Sequence, residues 1–148
     1  MPIDILLVED NEGDIRLLRE LLLAANKDAR LHVVTDGAEA MDFLQYQGKY
    51  LAAPRPNLIL LDLNLPKLHG HEVLSRVKSN PHLQTIPVIV LTSSEEESDI
   101  VTSYQERANC YLRKPQELKE FERLVKSLND FWLVRVKLPA RGQAMGPI

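Results

Sequence analysis

The sequence predicts an open α/β sandwich: five parallel strands with helices on both faces. Three observations carry this expectation. Short aliphatic runs that are apolar at successive positions alternate with longer stretches in which apolar residues return every third or fourth position. That strand-then-helix order occurs five times along the chain. Strands that are apolar on both faces belong in a parallel sheet buried between helical layers, rather than in a sheet with one wet face.

The first strand is read at Ile3-Asp4-Ile5-Leu6-Leu7-Val8, which stops at the polar cluster Glu9-Asp10-Asn11. The period then changes. Ile15, Leu18, Leu22 and Ala25 mark a first helix, with Asn11 placed to cap it and Asp14 in its first turn. His32-Val33-Val34 is a weaker second strand, and Asp36-Gly37-Ala38-Glu39 opens a helix carrying Ala40, Phe43 and Leu44. An irregular stretch with Pro54 and Pro56 leads to the third strand, Leu58 to Leu61, which ends at Asp62-Leu63-Asn64-Leu65-Pro66. After Gly70, Val73, Leu74 and Val77 form the stripe of a third helix, which Asn80-Pro81 ends because a residue preceding proline is biased out of the helical region. Pro87 to Leu91 is the fourth strand, with proline at its first position, where no central ladder bond is lost. Ser94-Glu95-Glu96-Glu97 reads as a capping box for a helix through about Arg107. Cys110-Tyr111-Leu112 is the fifth strand, ended by Arg113-Lys114-Pro115, and Leu118, Phe121, Leu124, Val125 and Leu128 give the last helix its apolar face. Beyond Asp130, Val134, Val136 and Leu138 alternate with charged residues, which predicts an extended segment with one sticky face, acting as a strap on its own domain or as a dimer contact.

Composition narrows the function. The chain has 148 residues with 18 basic and 21 acidic side chains, for a net charge of −3. That length suits one domain of roughly 100–150 residues. Mild acidity without a basic stripe argues against nucleic acid and against a membrane-binding patch. The longest aliphatic runs fall far short of the roughly 18 residues that span a bilayer. A single cysteine, Cys110, makes no internal disulfide, and a reduced cytoplasmic setting is expected. Cys110 itself reads as a small hydrophobe, since no activating partner can be named for it. The four histidines show no metal-site spacing and read as surface residues.

Ligands of open parallel sheets sit beyond the carboxyl ends of the strands. Here those ends carry Glu9 and Asp10, Asp62, Thr92 and Lys114. Carboxylates gathered so closely repel one another unless a cation intervenes. A hard divalent ion such as Mg²⁺ (or Mn²⁺) fits oxygen donors of this kind, with Asp10 and Asp62 as direct ligands, Glu9 acting through water and Asn64 offering its backbone carbonyl. Beside such an ion Asp62 can act as a nucleophile toward phosphorus, forming an aspartyl phosphate. Lys114 would offset charge on the phosphoryl oxygens, and Thr92 could donate its hydroxyl to one of them.

These residues closely resemble the receiver domains of two-component response regulators. The likeness lies in Val8-Glu9-Asp10-Asn11, Leu61-Asp62-Leu63-Asn64-Leu65-Pro66 through Gly70, Leu91-Thr92-Ser93, and Tyr111 with Lys114-Pro115, and it spans about residues 3–130. It implies a flavodoxin-like, CheY-like doubly wound fold of strand order 2-1-3-4-5, a receiver over 1–130 and a C-terminal extension over 131–148. It also implies Asp62 as phosphoacceptor, Glu9 and Asp10 as the acidic pocket, Thr92 as the switch hydroxyl, Lys114 as the essential lysine and Tyr111 as the rotating aromatic. Two departures leave the site competent: Glu9 replaces the commoner aspartate, and His69 stands where an aspartate often precedes the loop glycine. A narrower similarity, through residues 55–66, 109–112 and 131–139, is to the phytochrome-associated regulators of cyanobacteria and other bacteria. It implies a phytochrome histidine kinase as phosphodonor. It also implies a homodimer as the working unit; residues 131–139 are the expected contact, with the fourth helix, fifth strand and fifth helix.

The expected function is therefore a stand-alone signalling switch that assists its own phosphotransfer rather than an enzyme acting on other substrates. The rival is a metal-dependent aspartyl-phosphate phosphatase or phosphotransferase. Enzymes of the haloacid dehalogenase type want an aspartate two residues after the nucleophile, where this chain has Asn64, and a substrate cap, for which no long insertion exists. A nucleotide-binding flavodoxin-like module fits less well again, because Glu9 and Asp10 would repel a phosphate in the absence of a cation.

Overall fold

The computed structural model describes residues 2–139. Five strands, β1 (Ile3–Val8), β2 (Ala29–Val34), β3 (Leu58–Leu61), β4 (Val88–Thr92) and β5 (Cys110–Arg113), form one sheet of order β2-β1-β3-β4-β5 with every neighbouring pair parallel. The helices are α1 (Glu12–Ala25), α2 (Gly37–Leu44), α3 (Gly70–Ser79), α4 (Glu97–Gln105) and α5 (Leu118–Leu128). This is the five-stranded α/β sandwich that the alternation of periods predicts, in the CheY-like strand order that the receiver resemblance implies.

Alternate residues of a strand point to opposite faces, so each central strand feeds two cores. Leu6, Val8, Ile59, Leu61, Val88 and Val90 pack with Ala40, Phe43 and Leu44 of α2 and Val73, Leu74 and Val77 of α3. Ile5, Leu7, Leu58, Leu60, Ile89 and Leu91 pack on the other side with Leu18 and Leu22 of α1 and Phe121, Val125 and Leu128 of α5. Helix α4 buries only Ser103 fully and lies beside β5 at the margin.

Local chemistry starts the first helices where the sequence placed them. The Asn11 side chain accepts from the Asp14 N–H at 2.9 Å, and that of Asp36 from the Glu39 N–H at 2.7 Å, which satisfies donors that a helix N-terminus leaves open. Helix α4 departs from expectation. It begins at Glu97 after Glu96, with no side-chain cap; Ser94 lies two residues before that cap, where its hydroxyl donates to Asp99 Oδ2 at 2.5 Å and accepts from the Glu96 N–H at 3.3 Å, so no capping box forms. The histidines are not all surface residues either. His69 is exposed and caps α3 through Nδ1, whereas His71 is partly buried and its Nε2 lies 3.0 Å from Asp99 Oδ1.

The largest difference lies after α5. Residues Asn129–Arg135 continue as a π-helical turn rather than an extended strand. Leu128 and Leu133, five residues apart, are both buried on the α1–α5 side, and the Val136 N–H closes the turn on the Phe131 carbonyl at 2.8 Å. Keeping Leu133 in the core outweighs the alternation of Val134, Val136 and Leu138, and Val134 is left exposed. Extended backbone resumes at Val136, and the Asn57 side chain donates to the Pro139 carbonyl at 3.3 Å, so the end of this segment lies against its own domain. The disordered end that Gly142, Gly146 and Pro147 predict for residues 140–148 lies outside the described residues.

Two close approaches fix the loop after β3. A Cβ on Gly37 would meet the Leu68 carbonyl oxygen at 2.0 Å, and one on Gly70 would lie 2.5 Å from both the Asp62 carbonyl oxygen and Leu63 Cα. The neighbours are backbone and cannot rotate away. Gly70→Ala is expected to lower the unfolding free energy by about 1–3 kcal/mol, read as a lower urea midpoint with an unchanged slope. A midpoint equal to wild type would show that the loop yields without strain.

Candidate functional site

The parallel register sets the site. Val8 is level with Leu61, and Leu61 with Val90, so the residues that follow β1 and β3 emerge side by side at one edge. The ladder runs one step further there, with the Asp62 N–H donating to the Val8 carbonyl at 3.0 Å. Thr92 ends β4, and its carbonyl accepts from the Lys114 N–H at 2.7 Å, which brings the residue after β5 to the same edge.

Glu9 and Asp62 are buried, Asp10 is exposed, and a carboxylate oxygen of each lies within 4.8 Å of the others. The buried Lys114 Nζ reaches over this group: 2.5 Å to Glu9 Oε1, 2.9 Å to Asp14 Oδ2 and 3.5 Å to Asp62 Oδ2. Backbone N–H groups add weaker contacts, Asn11 to Glu9 Oε2 at 3.2 Å and Asn64 to Asp62 Oδ1 at 3.4 Å. Burial pushes the Glu9 carboxyl up to about 7, against the lowering pull of the Lys114 hydrogen bond and with help from the charge of Asp62. Burial also works against the Lys114 ammonium, but its bonds to Glu9 and Asp14 outweigh that and hold its proton more firmly than usual. One lysine thus faces three carboxylates, and Asp10 adds a fourth to the cluster. The excess negative charge and the all-oxygen donor set fit a hard divalent cation held by Glu9, Asp10 and Asp62.

Thr92 is fully buried, and its hydroxyl has no hydrogen-bond partner among the described residues. A buried hydroxyl left so costs about 1–3 kcal/mol, a penalty that an incoming acceptor removes. Tyr111 lies on the neighbouring strand with its hydroxyl donating to the Ser94 carbonyl at 2.9 Å, on the loop that leaves Thr92. The fold therefore gathers Glu9, Asp10, Asp62, Thr92 and Lys114 at one edge. Asn64 is exposed in the loop two residues past Asp62, and Tyr111 stands at the flank.

Three polar groups were not singled out from the sequence as site or core features. Asp14, read only as a helix-start residue, is a direct partner of Lys114. Asp4 is fully buried, held by Arg30 through Nε at 3.0 Å and by His32 Nε2 at 2.9 Å. Lys78, also buried, donates to the Gln84 and Ile86 carbonyls and to Asn109 Oδ1. A signal for Asp4 was present: it shares the core-facing positions of Leu6 and Val8, and Arg30 and His32 alternate on the adjacent strand. Cys110 is partly buried rather than fully buried, and desolvation pushes its thiol up, as suits an inert side chain.

Comparison with known proteins decides the family. Residues 5–126 match the response regulator receiver domain. The chain belongs to that family. It is 52% identical over 139 residues to the response regulator Rcp1 of Synechocystis sp., covering 94% of this chain and 95% of that protein. Among solved structures, the Mn²⁺-bound form of Rcp1 superposes with a TM-score of 0.91, covering 94% of this chain and all of that one. The phosphorylated cyanobacterial phytochrome response regulator RcpA also gives 0.91, at 46% identity and over 95% of this chain and all of that one. The bacteriophytochrome response regulator RtBRR gives 0.73 at 43% identity, over 98% of this chain and 89% of that one. This receiver is thus a signalling protein of the two-component class, similar to phytochrome-associated regulators.

The raised Glu9 carboxyl has a consequence for stability. Its folded-state pKa of about 7 exceeds the ordinary 4.5, so the folded protein binds more protons across that interval and Glu9 favours folding less as pH rises through it. In EDTA, raising the pH from about 5.5 to about 8 should lower wild-type unfolding free energy by on the order of 1–3 kcal/mol through Glu9. Glu9→Gln should flatten that slope in urea titrations; an equal slope in both proteins would assign the proton to another group.

Proposed function

We propose that this receiver is a phosphoacceptor switch that takes a phosphoryl group from a phosphohistidine onto Asp62. One observation carries the reading: the buried Asp62 carboxylate lies within reach of the Lys114 ammonium, at the sheet edge where Thr92 holds a partnerless buried hydroxyl. In the transfer, a carboxylate oxygen of Asp62 attacks phosphorus, and the P–N bond breaks with its electron pair returning to the imidazole. Lys114 offsets charge on the phosphoryl oxygens and the Thr92 hydroxyl donates to one of them. Mg²⁺ or Mn²⁺ bound by Glu9, Asp10, Asp62 and the Asn64 carbonyl would supply charge neutralisation of the same oxygens. The Mn²⁺-bound and phosphorylated relatives support this assignment.

The phosphodonor we infer is a sensor histidine kinase of the phytochrome kind, on the strength of the similarity to RcpA and RtBRR. A cytoplasmic setting agrees with such a donor, and no helix among the described residues is long and apolar enough to cross a membrane. Output runs through protein contacts and a homodimer. Val101 and Tyr104 on α4, Leu118 on α5 and Phe131 and Val134 on the π-helical turn are large apolar side chains exposed to water, a pattern that suits a protein interface formed by α4, β5, α5 and residues 131–139. Tyr111 would move with Thr92 and carry the change to that face. An aspartyl-phosphate phosphatase on the same sheet remains less well supported, because Asn64 lacks the acid–base carboxyl such an enzyme uses.

Acetyl phosphate with Mg²⁺ should shift wild-type protein on phosphate-affinity gels and leave Asp62→Ala unshifted; equal behaviour of the two would place the phosphoryl group elsewhere. For the interface, wild type should scatter light as a dimer and the double variant Phe131→Glu, Val134→Glu as a monomer. A double variant of dimeric mass removes residues 131–135 from the contact.

A further inference from the structure

The three carboxylates around Lys114 are not equivalent. An ammonium has three N–H bonds. Glu9 at 2.5 Å and Asp14 at 2.9 Å take the short ones, and Asp62, the side chain at which the proposed chemistry occurs, is left with the longest contact at 3.5 Å. To come closer to phosphoryl oxygens on Asp62 than its present 3.5 Å contact, the Lys114 ammonium must draw away from one of its two short partners. Glu9 is poorly suited to losing it: its side chain is 1% exposed, and without the lysine its carboxylate would face Asp62 unneutralised. Asp14 differs. Its side chain is 29% exposed, and it sits in the first turn of α1, where the helix N-terminus favours a carboxylate and water can replace the lysine.

We propose that Asp14 is a positioning residue for phosphoryl transfer, holding the Lys114 ammonium back from Asp62 and releasing it when the phosphoryl group binds. The inference rests on Asp62 being the phosphoacceptor. The transfer itself is unchanged: the new bond joins an Asp62 oxygen to phosphorus, the donor leaves with the electron pair of the bond that breaks, and no proton is consumed at the already ionised carboxylate. Asp14 affects only how readily the lysine meets the incoming oxygens, so the unphosphorylated form is favoured by the strength of one partly exposed ion pair.

Beryllofluoride, which mimics the phosphoryl group on a carboxylate, is the probe, titrated at saturating Mg²⁺ and followed by fluorine NMR on the full chain. Asp14→Asn should bind it about threefold or more tightly than wild type, the effect expected for one partly exposed ion pair. Asp14→Glu, which keeps the charge, should return toward wild type. Glu12→Gln removes an equal charge from the same helical turn, at an exposed residue with no ion pair among the described residues, and should leave the affinity unchanged. A merely structural role would move the urea midpoint and not separate Asp14→Asn from Asp14→Glu in affinity. If wild type binds the probe while Asp14→Asn binds no tighter, or Glu12→Gln tightens it equally, this inference fails alone. If wild type itself binds none, the assignment of Asp62 fails and takes this inference with it.

Discussion

The edge of the sheet at the ends of β1, β3 and β5 carries more negative charge than its lysine neutralises, and the rest of the molecule is arranged to keep it so. Glu9 and Asp62 are adjacent because β1 and β3 are parallel neighbours in fixed register. Slipping that register would turn the two buried apolar faces of each strand out of their cores, so the electrostatic strain at the edge is held in place by hydrophobic packing far from it. The loop after Asp62 is equally constrained, since Gly70 lies against the Asp62 and Leu63 backbone with no room for a side chain. What looks like an unfavourable cluster is thus a site prepared for positive charge, with one fixed cation in Lys114 and an oxygen cage suited to another.

A second set of contacts leads away from this edge. Thr92 passes directly into the loop that carries Ser94, and Ser94 is engaged from two sides: its carbonyl accepts from the Tyr111 hydroxyl, and its own hydroxyl donates to Asp99. Asp99 also meets His71 at the start of α3, and these bonds hold its carboxyl below the usual range. A displacement at Thr92 therefore cannot leave the rest of the loop untouched. It acts on contacts with β5, the first turn of α4 and α3 together, which is the physical basis for a local charge change reaching a surface several residues away.

Most of the architecture was legible because hydrophobic period is a strong signal: strands apolar on both faces and helices with one stripe leave few ways to bury both. The positions of Glu9, Asp10, Asp62, Thr92 and Lys114 followed from the rule that strand ends converge, since each is the residue at or just past the end of an apolar run. Contacts made by side chains across elements were harder. Asp14 has the sequence signature of a helix-start residue, and nothing in its spacing reveals that Lys114, a hundred positions away, turns toward it. The segment after Asp130 misled for a different reason. Its alternation of Val134, Val136 and Leu138 is real, but burial of Leu133 beside Leu128 extends the helix by a wider turn, and tertiary packing overrides the local pattern. Ser94 likewise matched a capping box, but the helix starts later, after Glu96, and Ser94 stays in the preceding loop, tied to Asp99 of the first turn.

The two ends of β1 sharpen what distinguishes a functional carboxylate from a structural one. Asp4 and Glu9 flank the same aliphatic run, and both are buried. Asp4 is met by the bidentate Arg30 guanidinium, by His32 and, through its backbone N–H, by Asn57, whose side chain also ties down Pro139. Burial and the Arg30 charge lower the His32 pKa, so the Arg30 guanidinium supplies the main counter-charge there. That end is neutralised by the chain itself and has no electrostatic reason to recruit a ligand. Glu9 shares its ammonium with Asp14 and Asp62, and burial pushes its carboxyl up to about 7. Two carboxylates, an aspartate and a glutamate, are thus buried to nearly the same depth at opposite ends of one strand, with balanced charges at one end and excess negative charge at the other. The imbalance at the Glu9 end, more than the presence of acidic residues, is what fits that edge to a cation and to the phosphoryl chemistry proposed for it.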